Sequence, residues 1–507
     1  MERGEVAMTH IDKTKPEIPS TEEEGFMQYF EDHKKVYPKT VYGKVRTLKW
    51  LVLGLCLSVY YALPWVRWDR GPGQPNQALL LDIYDRRFYI FNLEFWPQDI
   101  YYLTGLLIMA ALGLFLVTSL FGRIWCGFAC PQTVWTDLFM LVERLIEGDR
   151  NERMRRDQQK TTLDTVWRKG LKHIIWIGIA FWTGGAWIMY YLDAPTIVGR
   201  FWHGQAGSAV YGFTFLFTAT TYLLAGWARE QVCTYMCPWP RFQSAMLDEQ
   251  SFIVTYRSWR GETRGHLKAQ KNNTSGIQYG DCIDCGGCIT ACPTGVDIRE
   301  GPQLPCIGCG LCIDACDMAM KKVGRPTGLI AWDTLERQAA KANGLHLPTH
   351  FFRARTIIYF AAMSVAMTIM VIALTNRPLV NLSVLQDRAP LFVRIADGSI
   401  RNGYTIKITN KTHEEAVFHL GLAGLDDATM ALSDRHDDRL RDLHLSVGPD
   451  QVGSFRILLM APDHGSSTTF DFALRNETTN EHTSYHAVFL GPGSAASERH
   501  NASEGVH

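Results

Sequence analysis

The chain has 507 residues, 47% of them hydrophobic and 20% charged, and its 51 basic and 51 acidic side chains leave a formal net charge of zero. That balance excludes a polybasic nucleic-acid binder or an acidic tail protein, and the length predicts roughly three to four domain-sized units. Thirteen cysteines are too few for a disulfide scaffold of this size, and a mean hydropathy of −0.08 by itself suggests a soluble protein.

In chain order, residues 1–45 are polar, rich in Glu, Lys and Pro, and lack an apolar run. They predict a solvated arm without a cleavable signal peptide, which needs a basic start followed by an apolar stretch. Five segments of about 20 sparsely charged residues then read as membrane helices: Leu48–Leu63, Ile100–Phe121, Leu171–Leu192, Ser208–Ala228 and Thr356–Thr375. The first four form a membrane region over 46–228, and the fifth lies in 355–376. Residues 122–172 hold ten Lys and Arg, whereas 193–207 hold only Arg200. The bias of Lys and Arg toward the cytoplasm sets 122–172 inside. An odd number of spans then predicts a multi-pass protein with its N-terminus and residues 229–354 inside and its C-terminal segment outside.

Residues 377–507 change character. Leu391–Ile395, Tyr404–Thr409, Ala416–Leu420, Ser454–Met460, Thr468–Leu474 and Ser484–Leu490 alternate apolar and polar residues between Gly, Asn, Asp and Pro. Short alternating strands at this spacing predict a β-sandwich, here without a cysteine and with a frayed end from Gly491 onward.

Two sets of C-x2-C-x2-C-x3-C carry the strongest chemical signal: Cys282, Cys285, Cys288 and Cys292, then Cys306, Cys309, Cys312 and Cys316. In two-cluster ferredoxins the fourth cysteine of each set ligates the other cluster. That rule assigns Cys282, Cys285, Cys288 and Cys316 to one [4Fe–4S] cluster and Cys306, Cys309, Cys312 and Cys292 to the second. Gly286, Gly287, Gly308 and Gly310 would let backbone amides turn toward sulfur, and Ile283, Ile289, Ile307 and Ile313 would screen the cubes. Structural zinc prefers two separated pairs and fits the spacing poorly. The second set ends on Cys316–Asp317 where the first ends on Cys292–Pro293.

A second constellation is an internal repeat. Cys126-x3-Cys130-Pro131 follows the second expected span and Cys233-x3-Cys237-Pro238 the fourth, each leading into an aromatic-rich run. Cysteines four apart share a face if the helix continues through them, so all four thiols can meet at the membrane surface. Thiolates suit Cu(I), zinc or iron–sulfur clusters. Cys56 reads as packing. Met363, Met367 and Met370 read as a packed or lipid-facing stripe, and the scattered histidines of the tail, among them His413, His419, His436, His444, His482 and His486, as surface residues.

At these positions the sequence resembles the FixG/RdxA/CcoG family of membrane polyferredoxins. The stretches that carry the resemblance are FGRIWCGFACPQTVW, VCTYMCPWPRFQSAMLDE, DCIDCGGCITACPTGVDIREGPQLPCIGCGLCIDAC and GRPTGLI. It implies a multidomain membrane protein of the bacterial inner membrane. The parts would be about five transmembrane α-helices, a cytoplasmic ferredoxin-like α+β insert with two [4Fe–4S] clusters, and a periplasmic C-terminal Ig-like β-sandwich. It further implies a cupric reductase that supplies Cu(I) for assembly of a cbb-type cytochrome c oxidase. Cys126, Cys130, Cys233 and Cys237 would then be the catalytic, copper-binding residues, and the eight ferredoxin cysteines the relay. The partners implied are the bilayer, the oxidase assembly machinery and an electron donor that the sequence does not name; no Gly-rich nucleotide fingerprint is visible. Nucleic acid is not among them, and the oligomeric state, a homodimer included, is not readable. Two alternatives remain: a quinol-linked subunit of a respiratory complex whose four membrane-edge cysteines bind a third cluster, and a non-enzymatic assembly scaffold.

Overall fold

A computed structural model describes residues 35–71, 74–272, 276–412, 414–433 and 439–492; most of the expected N-terminal arm, the frayed end, His413 and His436 lie outside them. Among the described residues four helices are long and apolar enough to cross a membrane: Lys44–Trp65, Pro97–Phe121, Ser208–Ala228 and Ala354–Thr375. Their large apolar side chains, such as Leu51, Leu55, Leu107, Phe215 and Ile358, are exposed, an arrangement that lipid favours and water does not. None of the most apolar window of Ala354–Thr375 is buried within the protein. Its 22 residues reach about 33 Å at helical rise, enough for a hydrocarbon core of about 30 Å.

The third expected span, Leu171–Leu192, falls on a helix that does not meet the same test of length and apolarity. Leu163–Ile188 is a continuous helix of 26 residues, but it is not among the four. Lys172 and His173 interrupt its apolar run, and Lys172 is buried against Glu147 at 2.8 Å. Trp182, Thr183, Gly184 and Gly185 dilute the other half. By length and apolarity the spans among the described residues number four, so counting spans no longer places the two ends of the chain on opposite sides.

The chain divides into two compact units. One comprises Met1–Cys56, Phe121–Ala180 and Ala219–Thr349, the other Leu57–Leu120, Phe181–Thr218 and His350–His507. The ferredoxin segment is thus not a free-standing insert but shares a unit with both C-x3-C-P segments and the start of the first helix.

In the first unit the organising element is the Pro131–Glu147 helix, whose strong amphipathicity buries Phe139 and Val142 together with Asp137 and Glu143. Asp137 receives Arg46 at 2.8 Å and Lys49 at 3.6 Å. Glu143 receives Arg153 at 2.9 Å, Arg229 at 3.1 Å and Lys172 at 3.8 Å. Arg46 and Lys49 share the first helix and the other three bases come from three further stretches, so two carboxylates gather four segments. Arg229 ends the fourth span's π-helical stretch Tyr222–Ala228 with φ +39°, a backbone cost held in place by its bonds to Gly226 and Glu143. The N-terminal segment also packs: Val41 lies against Ala291 and Ala315, and the Lys39 amide donates to the Thr290 carbonyl at 2.8 Å. Residues 35–43 are therefore part of the fold, not a solvated arm.

The ferredoxin segment adds a two-stranded antiparallel sheet. Before it in the chain, β1 (Leu79–Asp82), β2 (Arg87–Ile90) and β3 (Leu93–Phe95) form a small meander in the second unit. The ferredoxin pair is β4 (Ile253–Tyr256) and β5 (Ile330–Asp333), bracketing all eight cysteines. The tail forms two sheets from β6 (Val380–Gln386), β7 (Val393–Arg394), β8 (Ile400–Asn410), β9 (Ala416–Ala423), β10 (Thr429–Leu432), β11 (Leu443–Val447), β12 (Gln451–Ala461), β13 (Thr468–Asn476) and β14 (His482–Phe489). The orders are β10-β12-β8-β6, with β7 on β8, and β11-β9-β13-β14. Tyr404, Ile406, Ile408, Phe418 and Phe472 fill the core without a disulfide. At the start of this domain the buried Asp99 accepts Arg377 at 2.8 Å and Lys411 at 3.0 Å.

Burial pushes the Asp137 and Glu143 carboxyls up, but the bases outweigh it: Lys49 and Arg46 hold Asp137, and Arg229, Arg153 and Lys172 hold Glu143, below the usual carboxylate range. A carboxylate depressed in the folded state contributes stability above its unfolded pKa, about 4, and loses it as pH falls through the folded value. Glu143→Gln is expected to cost about 3–5 kcal/mol at neutral pH, since it leaves three bases without their buried partner. Denaturant unfolding of the two proteins at pH 7 and pH 4 checks this: the difference is expected to shrink on acidification.

Candidate iron–sulfur and thiol site

All twelve motif cysteines lie in the first unit and are free. Cys292, Cys306, Cys309 and Cys312 line one cavity together with Val254, Val296, Ile298 and Ile307. The fourth cysteine of the first set thus turns toward the first three of the second. Reciprocally, after burial the groups that push up the Cys316 thiol are Cys288 and Cys285, then Asp317 and Cys282, and Cys282, Cys288 and Cys316 share an apolar cluster with Ile283 and Met320. The donor chemistry and the exchange of fourth cysteines fit two [4Fe–4S] cubes. Among the described residues no group of three or more His, Cys, Asp or Glu could hold a single metal ion. A cube differs in taking each thiolate on a separate iron, so its ligands surround a space rather than a point.

The local backbone explains the spacing. Gly286, Gly308 and Gly310 adopt φ of +62°, +67° and +69°, left-handed conformations that glycine accepts without cost. A Cβ on Gly310 would meet the Trp332 ring at 2.6 Å. Burial pushes up the thiols of Cys306, Cys309 and Cys288, while amides of Gly308, Leu311 and Ile289 respectively act the other way, as donors to anionic sulfur do. Ile283 and Ile307 are buried, and Ile289 and Ile313 partly so.

Asp317 has a structural reason. Cys292 caps the short Gly287–Ala291 helix and Pro293 follows it, whereas Cys316 lies inside the Leu311–Lys322 helix, where Pro would break the hydrogen-bond ladder. The Asp317 carboxylate instead accepts the Gly328 amide at 2.7 Å. One turn earlier Asp314 accepts the amides of Arg46 at 2.7 Å and Val45 at 3.3 Å. It caps the first membrane helix with a carboxylate from between two cluster cysteines.

The two C-x3-C-P pairs repeat one local shape, and it is not a continuous helix. Cys126 lies in the Ile124–Phe128 turn of helix, Cys130 is extended, and Pro131 opens the next helix. Cys233 lies in the π-helical Val232–Met236, Cys237 is extended, and Pro238 precedes the Trp239–Met246 helix. The expected common helix face is replaced by a break at each second cysteine, set by the following proline. The pairs still converge. Cys126 feels Cys130, Cys233 and Cys237, and Cys233 feels Cys130 and Cys237. Burial, followed by these neighbours, pushes Cys126 up to about 12 and Cys233 up to about 11.

This thiol group abuts the second cysteine set. Cys126 and Cys233 pack on a cluster formed by Ile307, Cys309 and Leu311, and a Cβ on Gly127 would stand 2.8 Å from the Cys309 Cα. Arg123 secures the junction, donating to the carbonyls of Leu304, Cys306 and, at 3.0 Å, Pro240. The Cys126 thiol reaches the buried Gln243 at 3.3 Å, joining one repeat to the other. Sequence reading missed Arg123, Gln243, Asp314 and the bases around Asp137 and Glu143. The signal for the last was two acids on the apolar side of an amphipathic helix. Cys56 is half-buried in the first span. Met370 packs where Gly105 leaves room, with Met363 beside Gly113, while Met367 is exposed on the outer side of the span. His444 pairs with Glu477 and His486 with Asp471 on an exposed sheet face.

Residues 228–335 match a 4Fe-4S dicluster domain, 103–147 a 4Fe-4S binding domain, and 370–492 the Ig-like fold at the C-terminus of FixG. Nitrogen fixation protein FixG of Rhizobium meliloti is 42% identical over 495 residues, which cover 92% of this chain and 94% of that protein. Protein RdxB of Cereibacter sphaeroides is 48% identical over 400 residues, 78% of this chain and 83% of its own. RdxA of the same organism is 45% identical over 437, covering 86% and 91%. A crystal structure of a FixG-related protein from Vibrio parahaemolyticus aligns with 23% of this chain and 98% of its own, at 23% identity and a TM-score of 0.20.

Crosswise ligation has a direct check. Cys316→Ser is expected to alter the electron paramagnetic resonance of the cube held by Cys282, Cys285 and Cys288, and Cys292→Ser that of the other. The same signal changing in both variants overturns the assignment.

Proposed function

This chain belongs to the FixG/RdxA/RdxB family of iron–sulfur membrane proteins, and from that premise we propose that it reduces Cu(II) to Cu(I) for assembly of a cbb-type cytochrome c oxidase. That it is a membrane iron–sulfur protein of the oxidoreductase type follows from its family and its two 4Fe-4S binding domains; copper and the oxidase are our reading. The observation that carries it is the packing of Cys126 and Cys233 against the Cys309 loop, which puts soft sulfur donors beside the residues of a one-electron carrier. Bound to their eight cysteines, the two cubes would supply electrons singly, and reduction of Cu(II) needs one.

The protein's own residues provide the rest. Cys126, Cys130, Cys233 and Cys237 are not placed to close together on one ion, but as few as two thiolates hold Cu(I), and they hold it better than Cu(II), so binding itself favours the reduced ion. Burial keeps the unliganded thiols protonated, and metal entry must release those protons. Arg123 and Gly127 keep the thiols close to the Cys309 loop.

A second reading has its own support. The 4Fe-4S binding match over 103–147 contains only Cys126 and Cys130 as cysteines, which favours a third cube on the four thiols. Iron and acid-labile sulfide of about eight per chain fit two cubes, and about twelve fit three.

The copper reading is tested with detergent-purified protein reduced by dithionite, freed of excess reductant and mixed with Cu(II) and a Cu(I)-specific chelator. Replacing the four C-x3-C-P cysteines by Ser is expected to abolish the rapid Cu(I) signal while the eight ferredoxin cysteines still hold their iron. Full-rate reduction in that variant removes the site.

For orientation, we infer that Leu163–Ile188 crosses as a fifth span, placing the N-terminus and ferredoxin segment in the cytoplasm and the sandwich in the periplasm. At 26 residues the helix reaches about 39 Å, and the basic residues of 122–172 precede it. A reporter enzyme active only in the periplasm, fused after residue 492, is expected to be active; an inactive fusion with an active cytoplasmic reporter at the same point refutes the topology.

A further inference from the structure

A cavity of about 380 Å³ lies beside the second cysteine set, within the size range of small-molecule sites. Cys306 and Gly308 form part of its wall, so an occupant touches the loop that presents a cluster ligand. Leu247, Ile253, Trp332 and Leu335 make the lining largely apolar. Phe121, the exposed last residue of the Pro97–Phe121 span, also lines it. The cavity therefore opens at the level where the bilayer meets water, within reach of a molecule whose tail remains in lipid.

Three charged groups, Arg123, Asp248 and Glu249, share the wall with the polar Ser244 and Gln303. Arg123 is only 9% exposed, and its terminal nitrogens are engaged by carbonyls of the Cys306 loop and Pro240. Its Nε–H is buried as well, with no acceptor among the described residues, so the guanidinium is withdrawn behind the wall and offers the cavity no free cation. Glu249 is exposed, so its carboxylate can pass a proton to solvent.

We propose that this cavity binds the ring of an isoprenoid quinol, the electron donor left unnamed by the electron-transfer reading on which this inference rests. The donor must be neutral. Asp248 and Glu249 repel the phosphates of a flavin or nicotinamide nucleotide, the one guanidinium present is already committed at both ends, and nucleotide phosphates call for a glycine-rich loop at a helix N-terminus. A quinol ring suits apolar walls and donates from one hydroxyl toward Glu249, with the other beside the polar Ser244 and Gln303. Its oxidation breaks two O–H bonds and yields the quinone, two protons and two electrons. Glu249 takes one proton and solvent the second, and the electrons match two one-electron cubes, one each.

The test uses the full-length, cluster-loaded protein in lipid nanodiscs. A fluorescent hydroxyquinoline N-oxide, a quinol analogue, is titrated in and its quenching followed; saturable binding near one per chain is expected. Leu335→Trp and Leu247→Trp, which fill the cavity, are each expected to weaken binding at least tenfold with iron and sulfide content unchanged. Anaerobic decyl-ubiquinol or menaquinol is expected to bleach cluster absorbance in wild type, with a pH dependence altered in Glu249→Gln. Absent or non-saturable quenching, equal binding by both filled variants that retain iron, or bleaching by reduced flavin mononucleotide or NADH but by neither quinol overturns the proposal. Dithionite-reduced wild type separates this from the copper reading: failure to reduce Cu(II) with analogue binding intact sinks copper alone, and the reverse sinks the quinol site alone.

Discussion

Two buried carboxylates on one amphipathic helix hold the chemistry of this protein together. Asp137 and Glu143 are almost wholly withdrawn from water, and neither could stay ionised there without the bases that reach them. Because those bases come from the first span, the 150–158 helix, the 163–188 helix and the end of the fourth span, satisfying the charges places four stretches of chain at once. Arg229 matters most, since it stands shortly before Cys233 while Glu143 shares a helix with the Cys130 cap. The ion pair thereby carries one C-x3-C-P motif to the other. Buried pairs add little net stability when intact but are costly to break, so they specify arrangement.

The ferredoxin segment shows the same economy. Asp314, set between Cys312 and Cys316, caps the first membrane helix; Asp317, next to Cys316, pins the Gly328 turn; and Gly310 leaves room for Trp332. Residues beside the cluster ligands do the tertiary work, which fixes the cubes' positions relative to the membrane surface. A carrier of single electrons depends on such fixed separations, because transfer weakens steeply with distance.

Much was legible in the chain. The cysteine spacing and the exchange of fourth ligands are visible because the cube imposes a local repeat on the backbone. Strands such as β8, β9, β12 and β13 were visible because each buries alternate residues. β6, β10 and β11 escaped notice: β10 and β11 are only four and five residues long, too short for alternation to stand out from loop sequence, and β6 follows the last span after only a few residues. The helix over Leu163–Ile188 was legible, but not how its Lys172 is spent: the lysine looks like a flank of a span and proves to be a buried partner of Glu147. The shared helix face expected for cysteines four apart failed because a proline after each second cysteine forces that residue into an extended conformation.

By itself the sequence determined which residues can bind cubes, which segments can enter lipid and that the tail is a sandwich, since each rests on a short-range pattern of spacing or alternation. Only the tertiary structure decided that the two C-x3-C-P pairs come near one another, that Cys126 and Cys233 lie on the Cys309 loop, and that a lipid-edge cavity opens beside Cys306. Those facts join residues more than a hundred positions apart. They are set by buried charge pairing and by close backbone approach at Gly127, neither of which leaves a periodic trace along the chain.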